Sequence, residues 1–122
     1  MTDKANLLAK FEQIQEYWTP KIIAETNGQL VKLAKLRGEF IWHNHENEDE
    51  LFYVVKGELL LRFKDREIQL TEGDLYVVPA GEDHLPIAPE ECWVMLVEPA
   101  ATKHTGDVSD ERTVDVDDQE WI

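Results

Sequence analysis

The sequence predicts a mainly β protein, a jelly-roll barrel preceded by one amphipathic helix. Three observations predict it. After Pro20 the apolar residues recur with a period of two, such runs follow one another at near-even spacing, and turns rich in glycine or proline separate several of them. Many short strands with almost no helix indicate a sandwich, jelly roll or barrel, in which sheets bury their apolar faces against each other. At 122 residues the chain has the length of one domain.

The helix comes first. Leu7, Phe11, Ile14 and Trp18 fall at helical steps and form one apolar stripe, with Asn6 as cap and Pro20 as terminator. Residues 1–20 are therefore read as a helical segment that packs on the barrel or on a partner subunit. Strands are expected at 21–25 and 29–36, joined by a tight turn at Asn27-Gly28, and then at 39–45, 50–55, 58–64, 66–70, 75–78 and 92–98. Gly57, Gly73 and Gly81 fit turns, and Pro79 stiffens one of them. Residues 21–99 make the barrel, and 100–122 an acidic extension along the surface, pinned at its end by Trp121 and Ile122.

Twelve basic side chains against 26 acidic ones leave a net charge of −14. Such a field repels phosphate backbones and anionic lipid, which argues against nucleic-acid and membrane partners. No apolar run approaches the ~20 residues that cross a bilayer. The polar start from Met1 to Asn6 lacks the apolar segment of a secretory signal, so a cytoplasmic protein is expected. Cys92 cannot form an internal disulfide, and its apolar surroundings mark it as a small buried hydrophobe.

Chemistry concentrates at His43-Asn44-His45. Residues two apart on a strand share a face, so both imidazoles project together. Glu50 opens the following strand with the parity of Phe52 and Val54, which aims a carboxylate into an apolar interior. Burying it unpaired is costly, and a bound cation removes that cost. His84 follows the Pro79-Ala80-Gly81 turn as a fourth donor. Imidazole and carboxylate together suit manganese, iron, cobalt, nickel, copper or zinc, and four such ligands leave positions open for water or substrate. Glu48 or Asp49 replaces Glu50 if the intervening loop is tighter, and His104 reads as a surface residue of the tail.

Gly38, His43, His45, Glu50 and Gly57 resemble the first conserved motif of the cupin family, and Gly73, Pro79, Gly81 and His84 its second. The resemblance runs from about Leu36 to Pro99. It implies a double-stranded β-helix with His43, His45, Glu50 and His84 as ligands of one divalent transition metal ion, such as iron, manganese, nickel or zinc. Gly38 sits one residue closer to His43 than the family pattern has, and Ala88 stands where an asparagine is common. The ending is similar to compact bacterial cupins described as mannose-6-phosphate isomerase-like. The acidic rim formed by Glu46, Glu48, Asp49, Glu82 and Asp83 fits an anionic substrate poorly unless Arg62 or Lys56 reaches inward.

The sequence thus points to a metal-dependent enzyme acting on a small neutral or weakly charged molecule, with Glu50 as a candidate proton acceptor. A non-catalytic cupin that binds a metal or small ligand is the alternative. The apolar helix stripe and the aromatic residues, outward-facing Trp42 among them, suggest surface for a second copy. The resemblance likewise implies a homodimer.

Overall fold

Alternation of inward and outward side chains shapes the chain in the computed structural model, which describes residues 3–101, 106, 113 and 118–122. The elements are α1 (Leu7–Glu12), β1 (Lys21–Thr26), β2 (Gln29–Glu39), β3 (Glu50–Lys56), β4 (Leu59–Phe63), β5 (Glu67–Leu70), β6 (Leu75–Val78), β7 (His84–Pro99) and β8 (Glu120–Trp121). Neighbouring strands follow the order β5-β4-β7-β2-β1-β8, and β3 pairs with both β6 and β7.

β7 organises the barrel. Its first half pairs with β4, from Phe63↔His84 to Leu60↔Ile87. Its second half lies between β2 and β3, with Met95 opposite both Leu33 and Tyr53. One strand therefore ties together both sides of the interior. Inward residues of β3 (Phe52, Val54), β4 (Leu59, Leu61, Phe63) and β7 (Cys92, Val94, Leu96) fill the core. Gly57 makes the β3–β4 turn with a φ of 89°, and a Cβ there would lie 2.8 Å from the Glu91 carbonyl oxygen. Only glycine suits both that φ and that approach.

The helix stops sooner than its stripe suggests. α1 ends at Glu12, and its apolar residues divide between two sites. Phe11 and Ile14 pack on Leu33 outside the sheet, with Phe11 stacked on Trp93 at 4.9 Å. Trp18 instead turns into the barrel with a φ of 58°, stacks on Phe40 at 4.4 Å and donates from Nε1 to the Arg37 carbonyl. A six-residue helix has little stability of its own, so burial of the indole decides where the chain goes.

Two strand expectations are also corrected. The regular ladder of β2 ends at Glu39, and residues 40–45 are held to the start of β7 through Phe40 and His43. β7 reaches back beyond Cys92 to His84, which opens a strand instead of sitting in a loop. Its exposed middle, Glu90 and Glu91, lacks the alternation that marks a strand in sequence. At the tail end, Glu120 and Trp121 pair in parallel with Lys21 and Ile22, and Lys10 Nζ donates to the Ile122 carbonyl at 2.8 Å. Trp42 faces outward, with Lys64 over its ring. Among the described residues no helix is long and apolar enough to cross a membrane.

Candidate metal centre

His43 and His84 meet through their backbones. Each N–H donates to the other's carbonyl, at 3.1 and 2.9 Å, forming an isolated antiparallel bridge. Gly81 N–H donates to the His45 carbonyl at 2.8 Å, which ties the proline turn to the second histidine. Asp49 Oδ1 accepts from Ala80 N–H, so Asp49 braces the same turn, and Glu50 is the carboxylate that enters the interior. His43, His45, Glu50 and His84 are all buried, and each offers one donor atom within 4.8 Å of the others. An ion with bonds of about 2.0–2.2 Å holds opposed donors roughly 4.4 Å apart at most, so the cluster needs only a slight contraction.

The ring orientations suit that use. The Nδ1 atoms of His43 and His84 lie 2.8 and 2.9 Å from the carbonyls of Ile41 and Glu82. Those contacts assign the proton to Nδ1 and leave the Nε2 lone pairs free, the arrangement that orients imidazole ligands on metals. Nε2 of His45 and of His84 stand 3.3 and 3.7 Å from Glu50 Oε1. Neither nitrogen has a well-directed hydrogen-bond partner among the described residues, which is costly for a closed core. A cation among these atoms would satisfy both and balance Glu50. The donor set fits a divalent transition ion.

Burial, reinforced by neighbouring His84, pushes the His43 pKa down to about 4, so this ring is neutral near pH 7. Burial also disfavours a charged His45, but the close Glu50 carboxylate outweighs it and raises that pKa above the ordinary 6.5. Burial pushes Glu50 upward, yet the His45 and His84 rings hold it well below its usual range. Burial alone moves Cys92 up to about 12, which matches its reading as an inert hydrophobe.

Two spaces adjoin the cluster. An apolar one beside His43 and Glu50, walled by Trp18, Phe40, Phe52 and Leu96, holds about 30 Å³ for a water-sized sphere. A polar cleft of about 250 Å³ lies on the His45 side, lined by Asn44, Glu46, Asn47, Glu48 and buried Gly106. Neither is lined by lysine or arginine among the described residues. Arg62 pairs outside the barrel with Glu67, and Lys56 lies over Trp93, so neither reaches inward. Part of the acidic rim is tied down: Glu82 pairs with Arg66, and Asp83 accepts from Asn44. His104 lies outside the described residues.

One buried pair was not anticipated. Lys32 and Glu98 have no exposed surface, and Lys32 Nζ lies 2.8 Å from Glu98 Oε1. Strand parity marks both, since Lys32 shares a face with Leu30 and Ala34, and Glu98 with Val94 and Leu96. Glu98 stands against Glu50, and burial together with the Glu50 charge raises its pKa well above the usual carboxylate range.

A jelly-roll barrel with three inward histidines and one inward glutamate is the signature of one class of protein, and the chain belongs to the cupin family. Residues 29–98 match the family described as Cupin domain. The Bacillus subtilis uncharacterized protein YdbB is 41% identical over 85 residues, 69% of this chain and 75% of YdbB. A 3-hydroxyanthranilate 3,4-dioxygenase 2 of Aspergillus fumigatus is 32% identical over 67 residues, 52% of this chain but 36% of the fungal enzyme. Among solved structures, a cupin-2 domain-containing protein of Shewanella frigidimarina superposes with a TM-score of 0.77 at 44% identity, covering 78% of this chain and 93% of that one. A Neisseria meningitidis protein does so with a TM-score of 0.74 at 33% identity, covering 80% and 99%.

Proposed function

We propose that the chain is a metal-dependent enzyme for a small neutral or weakly charged organic molecule, with one divalent transition ion held by His43, His45, Glu50 and His84. One observation carries this reading: the buried Nε2 atoms of His45 and His84 converge beside the Glu50 carboxylate without well-directed partners of their own. Iron, manganese, nickel or zinc suits these donors, and the bound ion supplies Lewis-acid or oxygen-activating chemistry. The partial likeness to an Aspergillus dioxygenase favours the oxygen branch.

The chain's own residues hold and shield the site. His43 and His84 keep their rings fixed through Nδ1–H donation to backbone carbonyls. The wall of Trp18, Phe40 and Phe52 excludes bulk water from one side. Substrate enters through the polar cleft, whose amides suit a small polar molecule and whose carboxylates disfavour an anion such as a sugar phosphate. Glu50 holds a proton at Oε when substrate must lose one. Its depressed pKa makes it a weak base, which favours the second reading, a cupin that binds metal or ligand without turnover.

The protein acts as a cytoplasmic homodimer in this reading. Leu75 and Val77 are 54% and 43% exposed on β6, beside outward Leu51 and Tyr53 of β3, and together they present an apolar face to a second copy. Elemental analysis of protein purified without chelator tests the proposal. About one transition ion per chain is expected, lost when His43 and His45 become alanine, in particles of twice the chain mass by light scattering. Protein that takes up no metal after reconstitution would overturn it.

A further inference from the structure

Two carboxylates face each other inside the barrel. β3 and β7 pair Leu51 with Val97, so one step further along the ladder Glu50 falls opposite Glu98, and both turn inward. Like charges directly across a ladder repel, and a dry interior strengthens the repulsion. Lys32 arrives from the other flank of β7. β2 pairs Leu30 with Glu98 and Lys32 with Leu96, which makes Lys32 the diagonal neighbour of Glu98. Across the barrel wall the order is Lys32, Glu98, Glu50 and then the imidazoles.

Stability alone is a poor reason for such a pair. Burying two charges costs about as much as their attraction returns, and apolar residues of similar volume often serve as well or better. Neither Lys32 Nζ nor the Glu98 oxygens have a well-directed hydrogen bond among the described residues, despite the 2.8 Å approach. Incompletely satisfied polar groups at full burial call for a functional explanation. Glu98 supplies one, because it lies opposite Glu50 on the β3–β7 ladder with both side chains buried.

We propose that Lys32 and Glu98 are positioning residues for the metal centre: Lys32 orients Glu98, and Glu98 fixes the Glu50 carboxylate toward His45 and His84. This rests on the four-residue cluster being a metal site. It extends the functional machinery across β7 to β2, where nothing in the two cupin motifs points.

Titration of the purified metal-free protein with cobalt(II), read by chelator competition and by the visible spectrum of the bound ion, tests it. Glu98→Leu alone strands a buried lysine and invites unfolding, so the informative variant is Lys32→Met/Glu98→Leu, which replaces the pair by apolar groups of similar size. That variant is expected to melt no lower than the metal-free wild type, yet to bind cobalt(II) about 10- to 100-fold more weakly with an altered spectrum. Glu98→Gln accepts from Lys32 and offers an N–H to Glu50, and should lose less than about tenfold. Wild-type affinity in the folded double variant would overturn the proposal, as would its failure to fold, which makes the pair structural. Glu98→Gln binding as weakly as the double variant would also overturn it. Wild-type protein that takes up no cobalt(II) would instead remove the metal site itself.

Discussion

β3 runs from Glu50 at one end of the barrel interior to Val54 at the other, and the two ends differ in what holds them. At the Val54 end, Leu59, Leu70, Cys92 and Val94 close around one another with almost no exposed surface and, beyond the weakly polar Cys92 thiol, no side-chain polar atom to satisfy. At the Glu50 end, His43, His45, His84 and Glu98 are just as buried but depend on backbone carbonyls, a lysine and each other. The hydrocarbon end stabilises by excluding water from apolar surface. On the proposed reading, the ionisable end contributes little to net stability and much to binding, because its groups are desolvated before any ligand arrives. Stability and metal affinity should therefore respond to different substitutions.

The largest effect is expected at the hydrocarbon end. Leu59→Ala removes a fully buried side chain and should cost about 2–5 kcal/mol in denaturant unfolding, with metal stoichiometry unchanged. Folded Leu59→Ala protein that no longer binds metal would break the division. Glu50→Gln keeps the shape and removes the charge. It should weaken metal binding about a hundredfold in chelator competition while disturbing metal-free stability less than Leu59→Ala does.

The smallest effect is set by pH. His45 has a raised pKa, so its protonated form gives stability that is complete below 6.5 and fades as pH rises through the folded value. Glu50 has a depressed pKa, so its contribution is present above 4.5 and fades as pH falls through the folded value. The metal-free pair is thus strongest between these limits. Metal binding runs the other way, because a protonated imidazole has no lone pair to give. Affinity should rise about tenfold per pH unit up to the His45 pKa and then level off, with one proton released. His43 is already neutral there and adds nothing to the slope. Calorimetry in buffers of different ionisation enthalpy counts the proton, and a pH-independent affinity would show that His45 is not a ligand.

Much of the ionisable end was legible without coordinates. Two histidines separated by one residue, and a glutamate in register with Phe52 and Val54, declare their common face through strand parity. His84 was legible as a member of the candidate site, though its place in a strand was not, because Glu90 and Glu91 interrupt the alternation of β7. Lys32 and Glu98 escaped notice for a different reason. Charged residues on strands are normally solvated, and only the pairing of β2 and β3 on the two flanks of β7 seals this pair from water.

By itself the sequence determined the strand periods, the turns and the four residues of the candidate site, since those depend on local geometry and on spacings a reader can count. Tertiary structure decided the rest. It took Trp18 out of the helical stripe and stacked it on Phe40, because burying an indole outweighs the weak propensity of a short helix. It brought Lys32 and Glu98 together beside Glu50, because partners in a β-sheet are set by which strands become neighbours, and these residues lie far apart in the sequence.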